Sequence, residues 1–157
     1  MLDLFDFKET NSFEQNGVYN LTFYGFNHIQ KLSDSVSKLV HVLDPVEGLT
    51  VTDMSNGTLE PEDKKFLVEI QNIGTNSCLL IDFGERIKVN GDYHTYGYEE
   101  NCRELFRDVK PSTHQNILSN TMELEKRYSK PKDYYLKFTL ANRLSKEVKK
   151  LTVTVIG

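Results

Sequence analysis

Residues 90–102, NGDYHTYGYEENC, bring His94, Glu99, Glu100 and Cys102 close enough in sequence to raise acid–base, nucleophilic and metal chemistry. Each has a spacing requirement. A thiolate nucleophile needs a base within hydrogen-bond reach, and a zinc site needs ligands in a recognised frame. His94, Glu99 and Cys102 match no H-E-x-x-H or C-x-x-C spacing and mix hard with soft donors. Glu99 and Glu100 are direct neighbours, whereas catalytic carboxylates face each other across a cleft. At a helix start such a pair favours the positive end of the dipole. The nine glycines form neither G-x-x-x-x-G-K-S/T nor G-x-G-x-x-G, and no G-x-S-x-G elbow occurs. The expectation is a non-enzymatic chain with no catalytic residue, no cofactor and no metal.

What the same stretch offers is surface. Tyr93, Tyr96 and Tyr98 alternate with polar and small residues near Gly91 and Gly97, a mixture used where rigid aromatic anchors are set in adaptable loops. Tyrosine gives large contact area at little rotamer entropy, so Tyr93, His94, Tyr96, Tyr98, Glu99 and Glu100 are the candidate partner-binding residues. Asn90-Gly91 reads as a tight reversal leading into that loop. A secondary basic patch combines Lys126, Arg127, Lys130 and Lys132 with Tyr128, the cation and π-face mixture that single strands of nucleic acid use. The chain carries a formal charge of −4, and phosphate binding depends on neutralising several charges at once, so nucleic acid is disfavoured. The expected partner is another protein, with the chain serving as an accessory subunit or small inhibitor. The alternative is a carbohydrate- or small-ligand-binding module, with Tyr rings stacking on a sugar and Asp92, Glu99 and Asn101 meeting hydroxyls.

The elements that would position these residues are mostly strands. FLVEIQ (66–71), CLLIDF (78–83), YYLKFTLA (134–141) and LTVTVI (151–156) alternate or run apolar at strand length, with turn residues between them. Residues 18–26, 49–54 and 116–125 read as further strands, 86–89 resumes the run after Gly84-Glu85, and 142–150 reads as a polar connector. Two stretches carry helical spacing. Cys102, Leu105, Phe106 and Val109 fall at i, i+3, i+4 and i+7, giving a short helix over about 99–109. Ile29, Leu32, Val36, Leu39, Val40 and Leu43 fit a helix ending before Asp44-Pro45, although SKLVHVL alone has strand composition. Short strands at close spacing with so few helices predict a mainly β protein, an antiparallel β-sandwich with one or two short helices. At 157 residues, with no repeat and no linker composition, one domain is expected over 1–157, its first third an added strand–helix extension.

Residues 60–157 resemble the immunoglobulin-like bacterial sandwiches of the telokin-like sort. The segments carrying the likeness are KKFLVEIQNIGTNSCLLI, VKPSTHQNI, DYYLKFTLANR and KKLTVTV, in that order. The resemblance implies an immunoglobulin-like fold of the kind found on lipoproteins and accessory proteins, with no shared catalytic residues.

Composition completes the reading. Residues 1–63, 64–124 and 125–157 carry net charges of −8, −2 and +6, two faces that could orient a charged partner. The start MLDLFDFKETNSF lacks the basic and apolar pattern of a secretory signal, and no apolar run is long enough to span a bilayer. A cytoplasmic protein without a membrane segment is the expectation, with Cys78 and Cys102 as reduced thiols and the acceptor patterns at Asn20 and Asn56 read as ordinary turn or strand residues. Frequent Asn, Lys and Tyr without Trp fit an AT-rich genome, bacterial or phage.

Overall fold

The computed structural model describes residues 12–27, 29, 32–55, 62–87 and 90–157. His28, the acceptor pattern at 56–58 and most of the N-terminal stretch lie outside them. The chain divides into two compact units, 1–43 and 44–157.

In the first unit, β1 (Gly17–Asn27) and β2 (Leu32–Val42) form an antiparallel hairpin, registered from Gly17 opposite Val42 to Asn27 opposite Leu32. Where residues 32–42 were expected within a helix, they form a strand. Its apolar positions were compatible with both periods, and β1 supplies a full-length ladder for a segment whose Ser, Asp and Val residues are weak helix formers. The hydroxyls of Thr22 and Ser37 lie 2.9 Å apart across the ladder.

The second unit is an antiparallel β-sandwich. One sheet has the order β3 (Glu47–Asp53), β4 (Asp63–Asn72), β8 (Thr121–Arg127). The other runs β10 (Lys146–Val155), β9 (Lys132–Ala141), β5 (Cys78–Ile87), β6 (Asn90–Gly97), β7 (Thr113–Gln115). Only β6 and β7 pair in parallel. A first, second and sixth strand facing the third, fourth, seventh and eighth, with the short fifth strand added at the edge of the larger sheet, is the immunoglobulin-like arrangement of strands. Tyr134, near the start of β9, donates its hydroxyl to the Lys130 carbonyl at 2.8 Å, the tyrosine corner common in this architecture.

Alternation explains the core. Phe66, Val68 and Ile70 of β4 and Leu124 of β8 face Leu79, Ile81 and Phe83 of β5, Leu136, Phe138 and Leu140 of β9, and Val153 and Val155 of β10. The rings of Phe66 and Phe83 approach Phe138 at 6.3 and 6.4 Å. Gly84 breaks the alternation of β5. At φ +76° its Cα lies against Tyr135, where a Cβ would come within 2.7 Å of the Tyr135 carbonyl oxygen, so only glycine fits the bulge between Asp82 and Arg86.

Several boundaries differ from the sequence reading. Asn90-Gly91 is not the reversal: both residues already belong to β6, opposite Ile87 and Arg86, and residues 88 and 89 lie outside the described residues. The strand expected over 116–125 starts at Thr121, because Ser119 Oγ and Asn120 Nδ2 spend their hydrogen bonds on the Thr121 and Ile70 carbonyls. Residues 146–150 are strand rather than connector, since the ladder with β9 continues to Lys146. The helix α1 (Glu99–Leu105) stops short of Val109. Finally, Cys78 and Cys102 are not free thiols: they form a disulfide joining β5 to α1. Among the described residues no helix is long and apolar enough to cross a membrane.

Candidate functional site

The tyrosine-bearing loop of the sequence reading is the strand β6, and that changes which side chains share a surface. Successive residues of a strand point to opposite faces. His94 and the buried Tyr96 face into the sandwich, while half-buried Tyr93 faces outward, its carbonyl accepting from the backbone N–H and hydroxyl of Ser112. Tyr98 lies beyond the strand, exposed at the start of α1, and exposed Glu99 pairs with Arg103 at 2.8 Å one turn on. Glu100 is exposed beside it. The six candidates thus occupy three places: the interior edge of the sandwich, its outer face, and the helix start.

The secondary basic patch divides as well. Lys126 and Tyr128 turn inward, the latter donating its hydroxyl to the Phe83 carbonyl at 3.1 Å. Arg127 is exposed and 3.5 Å from Asp63, Lys130 is exposed, and Lys132 lies 4.7 Å above the Tyr134 ring. A period of two within β8 makes Lys126 and Arg127 incapable of sharing a face.

Where Lys126 goes is the strongest electrostatic feature of the molecule. From β8 it crosses to the other sheet and meets Glu85 of β5 at 2.9 Å and Asp92 of β6. Asp92 also contacts His94 Nε2 at 2.9 Å and accepts from Ser112 Oγ at 3.0 Å, and Glu85 accepts from Ser129 N and Oγ. Burial alone would raise both carboxyl pKa values, but the hydrogen bonds and the ammonium outweigh it and hold both below their ordinary range. Burial likewise works to lower Lys126, and the two carboxylates overcome it and raise its pKa. Each carboxylate of the clasp thus has both the Lys126 ammonium and a serine hydroxyl as partners.

Beside the clasp the sandwich is open. Five strands face three, so the inner face of β6 has no strand opposite it beyond β8. A cleft of about 560 Å³ results, lined by His94, Tyr96, Gln115, Ile117, Met122 and Leu124, with Glu123 and Glu125 at its rim. His94 stacks edge-on against Phe83 at 4.8 Å and forms part of the floor. A second hollow, about 360 Å³, lies under α1 beside the disulfide. There the ring nitrogens of His114 are bonded to Thr95 Oγ1 at 2.7 Å and Asn116 Oδ1 at 2.9 Å. Its polar groups satisfy each other.

Cys102, in the disulfide, offers no thiolate to His94, and the two project from opposite faces of the β6 sheet. Among the described residues no three His, Cys, Asp or Glu side chains are grouped to hold a metal. The clasp partners Glu85, Ser112 and Ser129 and the cleft residues Ile117, Met122, Glu123, Leu124 and Glu125 were not singled out as a site by sequence, and Asp92, read there as a sugar contact, instead belongs to the clasp. The alternation T-M-E-L-E-K, with glutamates on a short strand, is the signal of a managed sheet edge.

No protein-family model matches the chain, and no curated protein does. Among solved structures the chain is similar to the PKD domain from the human VPS10 domain-containing receptor SorCS2, at 18% identity and a TM-score of 0.47, over 76% of this chain and 81% of that one.

Proposed function

We propose that this chain is a non-enzymatic interaction module that works by binding another protein, through the open flank of its sandwich. The observation that carries this reading is the mismatch of five strands against three, which leaves a cleft of mixed polar and apolar lining beside a strand edge that pairs with no further strand among the described residues. The immunoglobulin-like strand order supports an accessory or inhibitory role of the telokin-like kind. A carbohydrate reading needs a row of exposed tyrosines, and Tyr93, Tyr96 and Tyr98 face three different ways. The Cys78–Cys102 bond supports work in an oxidising compartment, against the cytoplasmic expectation, because reducing compartments keep such pairs as thiols.

The test is retention on immobilised protein, comparing wild type, Ile117→Asp and Tyr98→Ala, with bound proteins identified by mass. Both substituted positions are exposed, so folding is preserved and checked by thermal midpoint. A partner held by wild type and Tyr98→Ala but lost by Ile117→Asp supports the flank. Equal retention by all three overturns it, and so does binding confined to a glycan array.

A further inference from the structure

The phase of the β4–β8 ladder fixes which backbone groups of β8 point away from the sheet. Ile70 N–H donates to the Asn120 carbonyl at 2.8 Å and Tyr128 N–H to the Glu62 carbonyl at 2.9 Å. With the register of Phe66 opposite Leu124, these bonds assign even-numbered residues of β8 to the β4 side. Glu123 and Glu125 therefore direct N–H and C=O outward along the open flank, while Met122 and Leu124 turn their side chains into the cleft. A strand placed here would have a ready ladder on one side, with Met122, Leu124 and Tyr96 among the residues beneath.

Charge then selects the occupant. On the outer face of the sheet Glu123 is exposed and bonded to Lys65 of β4 at 2.9 Å. Glu125 stands directly opposite Lys65 in the ladder, and its charge adds to that of Glu123 in favouring the Lys65 ammonium. Any residue laid opposite Glu123 or Glu125 in a new ladder shares that face, where opposite charges stabilise the pairing and like charges oppose it. A second copy of β8 meets this objection in one register: centred on Leu124, antiparallel self-pairing would set Glu123 against Glu125 twice. Centred on Lys126 it would set Glu125 against Arg127, so a dimer of this chain is the competing occupant that sedimentation measures.

Resting on the interaction reading above, we propose that β8 docks an extended segment of another protein as a fourth strand of its sheet, in which basic residues alternate with apolar ones. The basic residues lie beside Glu123 and Glu125, and the apolar ones enter the cleft over Leu124, Met122 and Tyr96. This is recognition by strand addition, with affinity from main-chain hydrogen bonds and specificity from alternate side chains.

The probe is a fluorescein-labelled nonapeptide of alternating Lys and Val, compared with a peptide of the same composition in two blocks and with an alternating Glu and Val peptide. Fluorescence polarisation is expected to rank the alternating Lys peptide first, and amide exchange at Glu123 and Glu125 is expected to slow on binding. The double variant Glu123→Lys with Glu125→Lys should weaken that peptide about tenfold and reverse the preference. Glu125→Pro removes an outward N–H that the fold does not use, so it should block docking while the thermal midpoint holds. Equal binding of the blocked peptide, no binding at all, or unchanged exchange at both amides overturns the proposal. So does a wild-type dimer in sedimentation that Glu125→Pro dissociates, which would make a second copy the occupant. Partner retention lost on Ile117→Asp is read separately, so the interaction reading can survive the loss of this occupant.

Discussion

The two flanks of the sandwich meet the same problem in different ways. Where β3 lies beside β10, the carboxylate of Glu147 accepts from the backbone N–H of Gly48 at 3.0 Å and of Leu49 at 2.7 Å. Ser145 Oγ accepts from Val46 N–H at 2.8 Å, and Asn142 ties the adjoining turn to the Asp44 and Thr75 carbonyls. That flank is closed by side chains serving as strand partners. The opposite flank is held at one end by Lys126 between Glu85 and Asp92, and among the described residues no further strand pairs with β8 beyond it. On the proposed reading, the edge left open is where a partner strand enters, with the glutamates of β8 admitting only a strand of opposite charge.

The comparison can be broken most forcefully at the clasp. Lys126→Ala leaves Glu85 and Asp92 inside the flank without their cation, and is expected to lower stability by about 3 kcal/mol in urea unfolding. The same pair sharpens the picture through pH. Both carboxyls have depressed folded values, so their contribution is full above the ordinary values of 4.5 and 3.8 and is lost as pH falls through the lower folded ones. Lys126 is raised above 10.5, so its contribution persists through neutral pH and is lost only as pH rises through the folded value. The stability gap between wild type and Lys126→Ala should therefore be flat near neutrality and shrink in acid; a gap that widens below pH 4 would contradict the clasp.

On the closed flank, Glu147→Ala leaves two backbone N–H groups of β3 without their acceptor. About 2 kcal/mol is the expected loss, with faster amide exchange at Gly48 and Leu49 and none at Glu123. The smallest effect belongs to the cleft. Ile117→Asp, at an exposed position, should shift stability by no more than about 0.5 kcal/mol while altering partner retention. Equal losses of stability from Ile117→Asp and Glu147→Ala would erase the distinction between the flanks.

Much of this fold was legible in residue order. The alternation of β4 and β9 identified their core faces correctly, because a half-buried strand must repeat with period two. Residues 32–42 were not legible in that way, since their apolar spacing satisfied helix and strand equally and the ladder to β1 decided. The site was less legible than the fold. Tyr93, Tyr96 and Tyr98 looked like one cluster only while they were assigned to a loop; once β6 pairs with β5, adjacent residues must part to opposite faces.

By itself the sequence determined a mainly β sandwich, a short helix beginning at Glu99, and the absence of recognised catalytic spacings. Those properties are local: they follow from side-chain periodicity and from distances along the chain. Tertiary structure decided the rest. The bond between Cys78 and Cys102, the passage of Lys126 to Glu85 and Asp92, and the open edge of β8 each join or expose residues from different strands. Such pairings depend on which strands become neighbours and in what register, and no spacing within a single segment encodes that.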